Sequence, residues 1–132
     1  MSYLLDTHTL IWAITDPGKL SATARSILTD GENDILVSAI SFWEISMKYS
    51  LQKLMLEGLT PEDFPKAAEA TGFRLIDLDT AIVSTYHRLT ATYHKDPFDR
   101  MLIWQALQRN LYLISKDDNV SKYASEGLQV IW

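Results

Sequence analysis

Cysteine is absent from the 132 residues. That excludes disulfides, thiol nucleophiles and thiolate-held zinc or iron–sulfur centres, and it fits a cytoplasmic setting. Histidine is scarce: His8, His87 and His94 stand at no ligand spacing, so an imidazole-built metal site is not expected. Positive charge is in deficit, with 12 Lys and Arg against 17 Asp and Glu and a net charge of −5. A broad, nonspecific wrapper of nucleic acid is therefore excluded, because such binding draws its free energy from phosphate neutralisation. No apolar run approaches the roughly 20 residues that span a membrane. The apolar start Tyr3-Leu4-Leu5 is too short for a signal peptide and has no basic region before it. Linkers, repeats and low-complexity tracts are also lacking.

The chain does have short apolar runs separated by helix-forming segments. Tyr3-Leu4-Leu5, Ile35-Leu36-Val37 and Leu111-Tyr112-Leu113-Ile114 read as strands buried on both faces. The stretch 73–78 alternates more and suits a strand nearer the sheet edge, and 128–131 is the last strand. Between them the sequence predicts helices over 8–14, over 21–28 with Ser21 as cap, over 42–51 opened by Ser38 or Ser41, and from Thr60-Pro61 to about Ala70, where Gly72 stops it. Further helices are expected over about 79–89, from Asp96-Pro97 onward, and for a turn or two over 120–124. Trp43, Ile45, Met47 and Leu51 read mostly as core, and Trp12, Trp43 and Trp104 as core or dimer interface; 54–59 has no assignable conformation. Strands alternating with helices predict an α/β layered fold on a mainly parallel sheet of four or five short strands, and the length suits one domain.

Open parallel sheets bind ligands beyond the carboxyl ends of their strands. Asp6 ends the first strand, and Asp117 and Asp118 follow the strand at 111–114. Glu44 lies in the helix after the second strand, while Asp96 and Asp99 open the longest helix. Each acid has a structural explanation as a cap: Asp6 before its helix, Ser41-Phe42-Trp43-Glu44 as a capping box, Asp96 before Pro97 with Asp99 in the first turn, and Asp117 or Asp118 before the short helix. Asp96 keeps that explanation. Glu44, between Trp43 and Ile45, would be costly unpaired. Convergence of Asp6, Glu44, Asp99 and Asp117 at one sheet edge favours a hard-metal site over four unrelated caps. Oxygen ligands suit Mg²⁺ or Mn²⁺, and such ions serve phosphoryl chemistry. Two rivals remain: a haloacid-dehalogenase-type phosphatase with Asp6 as nucleophile, which wants an acid where His8 stands, and a non-catalytic interaction domain whose acids hold a partner's basic segment.

Four blocks occur in order: Leu4-Leu5-Asp6-Thr7-His8; Ser38-Ala39-Ile40-Ser41-Phe42-Trp43-Glu44-Ile45 with Lys48 a turn later; Asp96-Pro97-Phe98-Asp99-Arg100; and Leu113-Ile114-Ser115-Lys116-Asp117. With them the chain resembles, from Tyr3 to Trp132, the PIN-domain ribonucleases, specifically the toxins of VapBC-type (type II) toxin–antitoxin pairs. The resemblance implies one PIN-like α/β/α sandwich over 1–132 and an acidic metal site of Asp6, Glu44, Asp99 and Asp117, supported by Ser115. It further implies Mg²⁺- or Mn²⁺-dependent endonucleolytic hydrolysis of RNA, a homodimer, and inhibition by a small antitoxin whose C-terminal segment lies across the site. Gln52 departs from the pattern, since members often have glycine before the Lys-Leu found here at 53–54. Lys48, Arg100 and Lys116 are candidate RNA contacts, with a surface role the alternative for the lysines and a solvent-facing one for Arg100. The negative charge adds the expectation that the antitoxin inserts an Arg or Lys among the four carboxylates.

Overall fold

The computed structural model describes residues 1–132. Five strands, β1 (Ser2–Leu5), β2 (Asp34–Ser38), β3 (Arg74–Ile76), β4 (Tyr112–Ile114) and β5 (Val130–Ile131), pair in parallel throughout. Their order is β3-β2-β1-β4-β5, so the first strand of the sequence is the middle strand of the sheet. All five carboxyl ends consequently lie along one edge. Asp6, leaving β1, donates its backbone N–H to the Ile114 carbonyl at the end of β4.

Side chains alternate across each strand, and the apolar runs therefore feed two cores. Leu4, Leu36 and Leu113 pack on one face under α5 (Thr80–Thr85) and α6 (Pro97–Arg109). Tyr3, Leu5, Ile35, Val37 and Ile114 pack on the other against α1 (Thr7–Thr15), α2 (Ala22–Thr29) and α4 (Asp63–Thr71). Helix α3 (Ala39–Ser50) contributes Ile40 to the first core and Ile45 to the second. The short α7 (Asp118–Ser121) follows β4. The result is the three-layer arrangement expected, and burying each such leucine or isoleucine contributes about 1.5–3 kcal/mol. No helix is long and apolar enough to cross a membrane.

Most helix starts follow the sequence grammar. Ser21 accepts the Ala24 N–H, Asp79 that of Ile82, and Asp96 those of Phe98 and Asp99 ahead of Pro97. Three expectations need correction. Helix α3 begins at Ala39 with Ser38 as cap, so Ser41–Glu44 is no capping box; Ser41 is inside the helix, where its oxygen accepts the Thr7 hydroxyl at 3.1 Å. Its buried face is Ile40, Ser41, Glu44 and Ile45. That turns Trp43 (61% exposed) and Leu51 outward, against their reading as core, with Trp43 edge-on to Phe98 at 5.2 Å. Helix α4 starts at Asp63 instead of Thr60, although the Asp63 carboxylate still reaches back to the Thr60 N–H at 2.8 Å.

Candidate metal centre

Parallel strands and capped helices bring three of the four acids to the carboxyl edge of the sheet by their backbone positions alone. Asp6 combines the two roles that the sequence offered it as alternatives: it caps α1 through the Thr9 N–H (2.8 Å) and stays almost wholly buried. Burial raises its pKa above the ordinary carboxylate value, against hydrogen bonds from Ser115 and Thr9 that pull it down. Ser115, equally buried, also accepts the Asp117 N–H at 3.1 Å, and so ties the acid after β1 to the acid after β4. Asp117 caps α7 through the Asn119 N–H at 2.8 Å.

Asp99, in the first turn of α6, is strongly perturbed as well. Desolvation pushes its carboxyl up to about 7; His94 opposes this, while Asp96, Glu44 and Asp6 add to it. Those last contributions put Asp99, Glu44 and Asp6 in one electrostatic neighbourhood with Asp96, and Asp117 joins Asp99 through His94. Glu44 is 3% exposed; one carboxylate oxygen pairs with Lys48, one turn along α3, and the other, Oε1, is buried without any partner. An orphaned, desolvated carboxylate oxygen beside three more acids is the condition a hard divalent cation relieves, and the residues fit such an ion.

His94 is the residue that sequence reasoning passed over. Its Nε2 lies 2.8 Å from Asp117 Oδ2 and 3.3 Å from Asp99 Oδ2, and its Nδ1 accepts the Asp96 N–H at 3.1 Å. His94, Asp99 and Asp117 together bring ligand-capable atoms within 4.8 Å of one another. The expectation that His94 lacks partners was drawn from spacing among histidines; its partners are carboxylates on other elements, and only the nearness of His94 to Asp96-Pro97 in sequence hinted at them.

The three candidate RNA-contacting cations have different fates. Arg100 turns inward: its guanidinium donates to the Leu89 and Ala91 carbonyls (both 2.6 Å), to Tyr86 Oη (2.7 Å) and to Tyr123 Oη (2.8 Å). The side chain is half-buried and spends these donors on the protein, which corrects its solvent-facing reading. Lys48 is half-buried on Glu44. Partial desolvation would lower its pKa, but Glu44, with Asp96 and Asp99, holds it above the usual lysine value. Lys116 is exposed, its ammonium 5.8 Å from the Trp12 ring centroid. It lines a cleft of about 330 Å³ with Asp6, His8, Trp12 and Asp117. A neighbouring groove of about 370 Å³ shares His8 and Trp12 and runs past Glu44, Lys48, Lys19 and Lys53. The largest cavity, about 590 Å³ around Tyr49, Leu54 and Met55, touches none of the four acids.

A wholly parallel sheet with helices on both faces and acids beyond its carboxyl ends defines a three-layer α/β protein. The family model for the PIN domain matches residues 3–126, and the chain belongs to that family. Ribonuclease VapC22 of Mycobacterium tuberculosis is 22% identical over 129 residues, covering 98% of this chain and 97% of that protein. Among solved structures, VapBC2 from Rickettsia felis, bound to a DNA fragment from its promoter, matches with a TM-score of 0.67 at 18% identity, covering 99% of this chain and 98% of that one. VapBC-1 from nontypeable Haemophilus influenzae matches with a TM-score of 0.67 at 20% identity, covering 99% and 97%. These likenesses establish the fold.

Proposed function

We propose that this chain is a Mg²⁺- or Mn²⁺-dependent endoribonuclease, one PIN-like nuclease unit over 1–132, acting as the toxin of a VapBC-type pair. The observation that carries the reading is the buried, unpartnered Oε1 of Glu44 in a cluster where desolvation has already raised Asp99. Asp6, Glu44, Asp99 and Asp117 are the residues that would hold the cation. Bound there, it would polarise a phosphate oxygen and make an attacking water more acidic. The remaining work falls to the chain itself. Ser115 and the Thr9 N–H fix Asp6, the Asn119 N–H fixes Asp117, Lys48 steadies Glu44, and Lys116 stands at the rim where a phosphate would arrive. Near full-length similarity to a ribonuclease supports RNA as substrate. Likeness to VapBC complexes supports a small antitoxin partner, and the unbalanced carboxylates suit an Arg or Lys from it. A homodimer belongs to the same reading.

The test is cleavage of total cellular RNA by the purified chain with Mg²⁺, with Mn²⁺ and with EDTA, beside a folded Asp6→Asn/Asp99→Asn variant. Metal-dependent cleavage that the variant loses by at least about a hundredfold is expected, since removing metal-holding charges removes transition-state stabilisation. A wild-type chain that neither cleaves RNA nor binds either ion would sink the reading. An Asp6→Asn chain that keeps full biological activity would point to an interaction domain instead.

A further inference from the structure

His94 sits between two of the four acids, is held there by groups on three different elements, and has no part in the metal site as described so far. Its Nδ1 accepts the Asp96 N–H, so that nitrogen carries a lone pair and the ring proton resides on Nε2. Nε2–H then donates to Asp117 Oδ2 (2.8 Å), and Asp99 Oδ2 lies 3.3 Å from the same nitrogen. A nitrogen that carries a proton cannot also ligate a metal. His94 is thus a donor to Asp117, with Asp99 Oδ2 in ion-pair range of the same nitrogen, and it bridges the acid beginning α6 and the acid following β4.

The loop that presents it is itself pinned. Residues 89–96 form no helix or strand, yet Arg100 bonds the carbonyls of Leu89 and Ala91 and, at 3.4 Å, that of His94. Tyr123 Oη accepts the His94 N–H at 3.3 Å and donates to the Ala91 carbonyl at 2.8 Å. An irregular segment fixed by five internal hydrogen bonds is a mount, and the group it mounts is the imidazole.

We propose that His94 is a positioning residue of the metal centre: by donating Nε2–H to Asp117 and keeping Asp99 within ion-pair range of the same nitrogen it orients the two carboxylates for one divalent cation, without ligating it. The proposal rests on the metal-dependent nuclease reading. Hydrogen bonds to ligating groups of this kind are worth about 10–100-fold in metal affinity. Asp117 illustrates why: its Oδ1 takes the Asn119 N–H and its Oδ2 the His94 N–H, which together fix the carboxylate plane that a lone cap bond would leave free to rotate.

The experiment is divalent-ion binding by calorimetry on the full chain, with Mg²⁺, Mn²⁺ and Co²⁺, for wild type, His94→Ala and His94→Gln, and for Tyr123→Phe as a remote variant that loosens the mount. Circular dichroism checks that each is folded. His94→Ala is expected to weaken all three ions about tenfold or more and to about the same extent. His94→Gln, whose side-chain N–H can donate to a carboxylate, recovers part of the loss, and Tyr123→Phe gives a smaller loss of the same kind. A loss concentrated on Co²⁺, which prefers imidazole more than Mg²⁺ does, would overturn the proposal in favour of direct ligation. Unchanged or tighter binding in His94→Ala would overturn it in favour of a bystander or a competitor. If the wild-type chain binds no divalent ion, the nuclease reading itself has failed; if it binds and His94→Ala binds equally well, only the role of His94 has.

Discussion

Asp99 makes the behaviour of the centre depend on pH in a direction that can be worked out from its raised pKa. Unfolded, it titrates near the ordinary value of 3.8; folded and without a cation it titrates at about 7. The native state therefore holds a proton that the unfolded state has lost, and the associated stability is fully present below about pH 4 and disappears as the pH rises through about 7. Asp6, also raised, acts in the same sense, whereas Asp117, lowered because the His94 and Asn119 hydrogen bonds outweigh its partial burial, contributes stability that is lost toward acid. In EDTA the melting temperature should fall between about pH 4 and pH 7, and Asp99→Asn should flatten that slope. Saturating Mg²⁺ should flatten it too, by taking the place of the proton. Thermal melts across that range decide the matter; a wild-type slope no steeper than that of Asp99→Asn would show Asp99 to be ionised throughout. Gln52 is a second single residue with a measurable consequence. It closes α3 at φ 58°, a left-handed conformation that costs a residue with a Cβ about 1–2 kcal/mol. Gln52→Gly should raise stability by up to about 1 kcal/mol, after the roughly 0.5–1 kcal/mol of extra chain entropy that glycine loses on folding. A urea midpoint that stays put or falls would count against it.

Among the elements, those with local grammar were legible in the sequence and those made by distant partners were not. Pro97 after Asp96, Ser21 before an apolar period, and three solid apolar runs specify α6, α2 and β1, β2 and β4 from neighbouring residues alone. The edge placement of the strand beginning at Arg74 followed from its alternation. The outward turn of Trp43 was missed because its orientation depends on which cap, Ser38 or Ser41, starts α3, and both satisfy the same local rule. Asp6, Asp99 and Asp117 were legible as neighbours of the carboxyl edge, since each follows a strand or opens a helix there, but the contacts of His94 with Asp99 and Asp117 depend on the loop 89–96. That loop has no periodicity to read; it is fixed by Arg100 from α6 and Tyr123 from the turn after α7. Replacing Arg100 by Lys keeps the charge but cannot reach four acceptors on a planar fork. A loss of about 3 kcal/mol is expected from stranded, half-buried carbonyls, with faster amide exchange in 89–96. Stability within about 0.5 kcal/mol of wild type would show that Arg100 does not hold the loop, surface-like substitutions being of that size.

For the molecule as a whole, the net charge of −5 understates how little positive charge faces the cleft. Arg100 is consumed inside and Lys48 is paired, which leaves Lys19, Lys53 and Lys116 along the cleft and groove. Three phosphate contacts to a single strand correspond to a slope of about −2 in log affinity against log salt. RNA binding by the folded Asp6→Asn/Asp99→Asn variant, titrated at several salt concentrations, should show a slope no steeper than that; a slope of about −5 or beyond would mean that a basic surface elsewhere, or a second subunit, takes part.

The sheet order has one more consequence, and it concerns time. Because β1 is made first yet sits between β2 and β4, the middle of the sheet waits for a neighbour more than a hundred residues downstream, as the pairing of Leu5 with Ile114 makes plain. Closing so long a loop comes late in folding. A chain still being synthesised, with β1, β2 and β3 complete, holds Asp6 and Glu44 but neither Asp99 nor Asp117. Under the nuclease reading, the growing polypeptide is inert toward the RNA of the ribosome that makes it. Its activity begins only after the last quarter of the sequence has emerged, an interval in which a partner already present can meet it.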